Sequence, residues 1–526
     1  VDAVHGHGNL LNATVFPQQI GLGAANNPEL MEKIGRATAE EMLATGIPWN
    51  FAPCIAVVQD VRWGRTYEGY GEETELVTSL GTAYLKGLQT LTDEDKPAPG
   101  QSIFVLASPK HFLGDGATIW GSSRTGDYEL DQGNMQMPEE VVRKLYLPPY
   151  QEAIEAGAMN VMVSFSSWKG TKMHGQQYLL TKVLKDELGF DGFIVSDWQG
   201  MDQINPDDYY ASIVTSVNAG VDMSMVPYDY LSFIQTMKDA VNNGDIPESR
   251  LDEAVRRILR AKFALGLFEQ PMPDKKYQST VRAREHLELA RQAVRESLVL
   301  LTNENEVLPL SKDTGTIFIA GEGANDIGLQ SGGWTLQWQG QPGNDNEGTT
   351  VFSGIKAAVN SDTRVEFNRE GDFSEFKDPE GNPLVADAGI VVIAEPPYAE
   401  GAGDKADLSL TLEESELIAE MKEQSATVIV ILLSGRPRVI TEQLPLADAW
   451  VAAWLPGTEG GGIADVLFGD FPFTGKLSYS WPRSNDQLPI NINNIGDKIG
   501  CEAPLLPYGY GLTYGEPSPE ILECNP

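Results

Sequence analysis

The chain is short of cysteine, histidine and positive charge. Three cysteines in 526 residues, Cys54, Cys501 and Cys524, cannot build a disulfide framework. Cys501 and Cys524 could still pair with each other, while Cys54, inside the apolar stretch "NFAPCIAV", reads as a buried thiol. The five histidines and those cysteines show no metal-ligand spacing, so no metal site is expected. No apolar run approaches the roughly 20 residues of a membrane span. Lys and Arg number 38 against 75 Asp and Glu, a net charge of −37. A surface so acidic repels nucleic acid and anionic membranes, which argues against both as partners. It suits a salty or exposed setting. A secreted or periplasmic location is expected. Phosphate-binding loops are missing as well: "GEGAND" at 321–326 is not a dinucleotide fingerprint, and there is no Walker loop or nucleophile elbow. No cofactor is expected, and the oligomeric state stays open.

What the sequence has in quantity is alternation. Its length suggests two or three domains. In the first half, strand-like runs near 49–55, 103–107, 159–165, 192–196 and 220–225, with a stub at 1–4, alternate with helical patterns. "NNPELMEKIGRATAEEMLATG" has Asn27 as its N-cap, Pro28 at the first helical position and Gly46 as its stop. Further helices are expected at 73–91, 147–156, 178–188, 229–242 and 249–265. Such β-α repetition means a parallel sheet, either closed into a barrel or open.

Polar and aromatic residues follow the apolar runs again and again: "SPKHFLGD", "SFSSW", "SDW", "MVP". A barrel gathers all its strand ends at one mouth, whereas an open sheet gathers only those beside its switch point, so many loaded ends favour a (β/α)8-like barrel over 1–267. Only about six strands can be counted, and "VDAVHGHGN" reads as the end of one, so a full barrel expects preceding sequence. The Pro- and charge-rich stretch at 268–283 reads as a linker. A second alternation, "TIFIAG", "GIVVIAEPP", "TVIVILLSGRP", "AWVAAWLPG", with a helix at 412–423, predicts an α/β sandwich domain over 284–515, and 516–526 is a Pro-rich tail.

"GFIVSDWQGMD" poses the chemical question, because a carboxylate and an indole stand where a buried strand emerges. A helix N-cap is the ordinary use of such an aspartate. With metal, nucleotide and triad chemistry lacking, the excess of carboxylates, tryptophans and polar strand ends fits a carbohydrate site, where aromatic faces stack on sugar rings and two carboxylates cleave the bond.

Long ordered segments sharpen this. "VDAVHGHGN", "APCIAVVQDVRWGRTYEGYGE", "SPKHFLGDG", "GFIVSDWQGMD", "GGWTLQWQG", "PYAEGAGD" and "PYGYGLTYG" span nearly the whole chain. The chain resembles glycoside hydrolase family three, and within it the plant-type and marine bacterial β-D-glucan exohydrolases and β-glucosidases. The resemblance implies a barrel followed by an α/β sandwich with the active site between them, and a β-linked gluco-oligosaccharide or glucan as substrate.

It further implies Asp197 of "SDW" as catalytic nucleophile and Glu400 of "PYAEG" as acid/base, with Glu395 the second choice for the acid. Asp2, Arg65, Lys110 and His111 match sugar-binding positions, Phe165 and Met225 match wall residues, and Trp198 and Trp338 match a pair that clamps the second sugar. Ordinary uses compete: Arg65 could bridge Glu68 or Glu72, His111 could be a core histidine, and Trp334 suits a buried core position better than Trp338 does.

The chain departs from the plant pattern in two places. Gln199 replaces the glutamate of "SDWEG", and Phe165 replaces a tyrosine. The β-N-acetylglucosaminidase branch carries a further histidine after "KHF", and "KHFLGDGATIWGSSRTGD" has none beyond His111. A retaining exo-β-glucosidase is therefore expected. A β-xylosidase of the same family and a catalytically silent glucan-binding protein are the alternatives.

Overall fold

The computed structural model describes residues 1–93, 95, 97–272, 274–522 and 524. It divides into two compact units, one of Val1–Val4, Met31–Val58 and Thr74–Val281, the other of His5–Leu30, Gln59–Glu73 and Arg282–Pro526.

In the first unit β1 (Asn160–Met162), β2 (Phe193–Trp198) and β3 (Met223–Met225) are parallel neighbours in that order. Parallel bridges continue the wall backwards along the chain, Phe112 to Val163, Lys110 to Cys54 and Leu106 to Trp49. Phe51 N–H then donates to the carbonyl of Val1 at 2.8 Å. Successive extended segments thus lie side by side and parallel, the barrel-like arrangement that the β-α alternation predicts. Ile103, Leu106, Met162, Phe193 and Val195 pack with Ala261 and Ala264 of the helix Glu248–Ala264, whose alanines let it approach the sheet closely. Leu30 N–H donates to Asn27 Oδ1 at 3.1 Å, so the helix Pro28–Ala44 starts where its capping residues indicate. Residues Tyr178–Glu187 form the expected helix but wind it as a π-helix. Within the stretch expected as a linker, Tyr277 is buried edge-on against Phe104, ring centroids 5.6 Å apart.

Residues 5–30 and 59–73, which the sequence reading assigns to the barrel domain, cluster with the second unit. Contacts far apart in sequence hold them there. The Tyr479 hydroxyl lies 3.1 and 3.0 Å from the carbonyls of Thr66 and Gly69. The Glu72 carboxylate accepts from the Ser480 amide at 3.0 Å and from its hydroxyl at 2.7 Å.

The second unit is built on six strands: β4 (Val299–Asn303), β5 (Thr316–Ala320), β6 (Arg364–Phe367), β7 (Ala388–Ala394), β8 (Val428–Leu433) and β9 (Ala449–Ala452). Their order is β4-β9-β8-β7-β5-β6, parallel throughout except that β4 runs against β9. Every residue of "VIVILL" in β8 is buried, as a strand covered on both faces requires. The chain leaves β5 outward to β6 and returns on the other side as β7, so a switch point lies between β5 and β7. Open parallel sheets use the space beyond their strand ends at such points, and residues 395–404 leave β7 there. The helix Leu412–Gln424 opens with a reciprocal Thr411–Glu414 capping box. Cys501 and Cys524 form a disulfide, and Cys54 is a buried free thiol. Among the described residues no helix is long and apolar enough to cross a membrane.

Candidate active site

In the first unit Asp197 sits near the end of β2, held through both its main chain and its carboxylate. Its amide donates to Nε2 of His174 at 3.0 Å, and its Oδ1 accepts from the Trp198 amide at 2.7 Å. The neighbouring Ser196 hydroxyl accepts from the Met225 amide at 2.7 Å, tying the strand end to β3. At the other end of β2, the Ile194 amide donates to Asp222, a buried carboxylate paired with Lys185 at 2.9 Å and Arg250 at 2.6 Å. A carboxylate on so braced a strand holds its position.

His174 accepts from Asp197 because it is neutral. Burial pushes its pKa down to about 3, with help from the charges of Lys172 and His111. Gly200 lies over its ring, where any Cβ would collide with the imidazole. On the other side of Asp197, His111 Nε2 lies 3.6 Å from Oδ2. Its Nδ1 lies 2.6 Å from Asp115 Oδ2. Lys110, buried, meets Asp2 at 3.0 Å. Phe165 is buried with its ring centroid 6.1 Å from that of His174, and Lys172 donates to the Phe165 carbonyl at 2.8 Å. Met225 is half-buried, and Trp198 is 50% exposed, unlike a core indole. The structure thus gathers Asp2, Lys110, His111, Phe165, Asp197, Trp198 and Met225 at the strand ends of one unit.

The second unit carries Arg65, Trp338 and Glu400. Arg65 makes a two-pronged pair with buried Glu68, both contacts 2.9 Å, and its Nη1 lies 3.7 Å from Glu400 Oε1. The pairing with Glu68 that the i, i+3 spacing suggests is therefore present alongside the approach to Glu400, whereas Glu72 is engaged elsewhere. Glu400 opens a short turn, Glu400–Gly403, with φ +55°. A Cβ on Gly64 would collide with the Glu400 carbonyl, so only glycine lets these two segments touch. Gln339 brackets the preceding residue: its Oε1 accepts from the Ala399 amide at 2.9 Å, and its Nε2 donates to the Ala399 carbonyl at 3.2 Å. Trp338 is 49% exposed and Trp334 only 9%.

Glu395 has a different environment. It is buried, accepts from the Gly435 amide at 3.0 Å and the Tyr398 hydroxyl at 3.1 Å, and lies 3.7 Å from Arg436. Burial works against its charge, but Arg436, then Arg438 and Lys405, outweigh that cost and hold its carboxyl below the usual range. Arg436 in turn donates to the carbonyls of Gly403 at 2.7 Å and Arg62 at 3.0 Å. Glu395 and Arg436 together brace the loop that bears Glu400. Sequence reasoning did not single out His174, Asp115, Gln339 or Arg436. Only the four-residue spacing of His111 and Asp115 carried a local signal.

Among the described residues no group of three or more His, Cys, Asp or Glu is placed to hold a metal ion. A parallel barrel-like unit with a carboxylate at a strand end, and an open sheet unit with a braced loop glutamate, suit polar carbohydrate chemistry.

Comparison with known proteins gives the family. The description "Glycosyl hydrolase family 3 N terminal domain" matches residues 1–261, and "Glycosyl hydrolase family 3 C-terminal domain" matches 298–514. The chain belongs to glycosyl hydrolase family 3. It is 34% identical to a lysosomal beta glucosidase of Dictyostelium discoideum over its whole length, which is 65% of that protein. With a periplasmic beta-glucosidase of Salmonella typhimurium it shares 30% identity, over 98% of this chain and 70% of the relative. The crystal structure of an exo-1,3/1,4-beta-glucanase from a Pseudoalteromonas species matches with a TM-score of 0.89 at 40% identity, covering 100% of this chain and 65% of that one. The chain thus spans about two thirds of the length of these relatives.

Proposed function

We propose that the protein is a retaining, exo-acting β-glucosidase or β-D-glucan glucohydrolase, releasing glucose from the non-reducing ends of β-glucans and oligosaccharides. Asp197 attacks the anomeric carbon while Glu400 protonates the departing glycosidic oxygen. Glu400 then takes a proton from water, which displaces Asp197 and frees the sugar with net retention. Asp2, Arg65, Lys110 and His111 bind hydroxyls of the first sugar, Phe165 and Met225 form wall, and Trp198 and Trp338 offer aromatic faces to the next ring.

The observation that carries this reading is the bracing of Asp197 at a strand end by His174 and by the Trp198 amide, with His111 Nε2 3.6 Å from its Oδ2. The names of the Dictyostelium, Salmonella and Pseudoalteromonas relatives support the substrate class. A β-xylosidase is the second reading, favoured by a 31% identical relative from Formosa agariphila that bears that name. We also propose a secreted or periplasmic location, which the name of the Salmonella relative supports. The functional domains proposed are 1–267 and 284–515, joined by 268–283 and followed by a tail at 516–526; the family matches fall inside them.

Hydrolysis of 4-nitrophenyl β-glucoside, set beside the β-xyloside and β-N-acetylglucosaminide, tests the reading. The glucoside should be cleaved fastest, and Asp197→Asn should abolish turnover while sugar binding persists. Faster xyloside cleavage selects the second reading. An Asp197→Asn variant within tenfold of wild type removes Asp197 from its role.

A further inference from the structure

We propose that Asp115 is a positioning residue that keeps His111 as an imidazolium, its Nε2–H turned toward the Asp197 carboxylate. This rests on the reading of Asp197 as nucleophile. His111 Nδ1 lies 2.6 Å from Asp115 Oδ2 and Nε2 lies 3.6 Å from Asp197 Oδ2, so one buried imidazole stands between two carboxylates. A neutral imidazole has one N–H and one lone pair, and would aim that lone pair at one of the two anions. Only the doubly protonated ring presents a donor to both.

Asp115 is itself fixed. Its Oδ1 accepts from the hydroxyls of Ser164 and Ser166, the latter at 3.1 Å. The Ser164 oxygen meanwhile accepts from the Ser166 amide at 2.8 Å, which leaves its own proton for Asp115. The carboxylate cannot swing away from His111 without abandoning both serines.

Several other titratable groups surround this couple. His174 faces His111 and Asp115 from the turn 173–175, and Lys172 lies next to it; Tyr150 lies near both Asp115 and Cys54. Lys110, adjacent to His111 in the chain, is paired with Asp2. His174 stays uncharged, so of the two imidazoles that meet Asp197 only His111 brings a charge to it. Asp115⁻ and His111⁺ form a dipole whose positive end faces Asp197, and that end favours the ionised nucleophile.

Asp115→Asn discriminates because the sign of its effect depends on the charge of His111. The serines would hold the amide oxygen, the amide nitrogen would donate to Nδ1, and His111 would become neutral while keeping Nε2–H. The acid limb of kcat/KM for 4-nitrophenyl β-glucoside should then move to higher pH, with activity below the limb falling tenfold or more and the plateau changing less. Asp115→Glu should restore part of the shift.

If His111 is neutral in the native protein, removing the Asp115 charge would ease ionisation of Asp197 and move the limb to lower pH. That outcome overturns the proposal, as does an unmoved limb with uniformly lower activity. Long-range ¹H–¹⁵N spectra of the imidazoles in the full chain read the same charge directly, with His111→Gln assigning the signal. Two protonated nitrogens on His111 near neutral pH are expected, and a single one refutes the idea. This second measurement needs no turnover. A native chain inactive on the glucoside would therefore count against the proposed function, and a neutral His111 against the role of Asp115.

Discussion

The amide of Asp197 donates to Nε2 of His174 at 3.0 Å, so a neutral histidine fixes the main chain beneath the proposed nucleophile. His174→Leu leaves that buried N–H without an acceptor, a loss of about 1–3 kcal/mol, and kcat should fall on the order of 10- to 100-fold. His174→Gln offers a carbonyl oxygen in its place and should recover much of the rate. Since burial holds His174 down at about 3, its own titration should leave no mark on activity between pH 5 and 8. Equal losses in both variants would show that ring volume matters rather than the acceptor.

Glu400 and Glu395 should separate cleanly by substitution. Glu400→Ala should cripple poor leaving groups far more than activated aryl glucosides, which depart without protonation. Added azide should then rescue turnover of the activated substrate as a β-glucosyl azide. Glu395→Ala strands the buried Arg436 charge, so a stability loss of about 3–5 kcal/mol is expected, read as a lowered melting temperature with no azide rescue. Azide rescue of Glu395→Ala alone would transfer the acid role to Glu395.

The half-exposed indoles bear on chain-length preference. Trp198→Ala and Trp338→Ala should each raise KM for laminaribiose and cellobiose about tenfold, the scale of a lost aromatic contact and its buried area. KM for a simple aryl glucoside should change less. Single glucose units should appear first from laminari- and cello-oligosaccharides. Early release of larger fragments would count against exo action.

Glu72 gives a pH prediction for stability. Burial pushes its carboxyl up to about 7, although Ser480 and Ile492 donate to it. The folded state thus holds this proton more tightly than the unfolded chain, whose carboxyl titrates near its ordinary value of 4.5. Between those values the folded state binds more protons, so the Glu72 contribution to stability falls as pH rises from about 4.5 to about 7. Melting temperatures of native protein and Glu72→Gln, compared at pH 5 and pH 8, should show the variant gaining relative to the native protein at the higher pH. A constant difference refutes the assignment.

Much of this was legible in the sequence because β-α alternation and loaded strand ends are local signals. The parallel wall through residues 49–54, 106–112, 160–163 and 193–198 follows from apolar runs that stop at polar residues. Trp334 and Trp338, four residues apart, already differ in the reading and differ in exposure. What stayed hidden depends on partners distant in the chain. Nothing local marks 59–73 as belonging with residue 479, and Glu395 and Glu400 look alike until Arg436 arrives beside one of them. His174 in "KMHG" shows no spacing signal, since its partner is a backbone amide rather than a side chain.

The contact of Gly64 with the Glu400 carbonyl makes a residue without chemistry a gauge for the one proposed as the acid. Any side chain at 64 acts as a shim, lifting the 400–403 turn off its seat while the glutamate is still spelled out in the sequence. A relative that retains both carboxylates but carries a bulkier residue at this position should therefore be sorted with the impaired catalysts. In a mutagenesis library, changes at position 64 would imitate the loss of the proposed acid, which lies far along the chain.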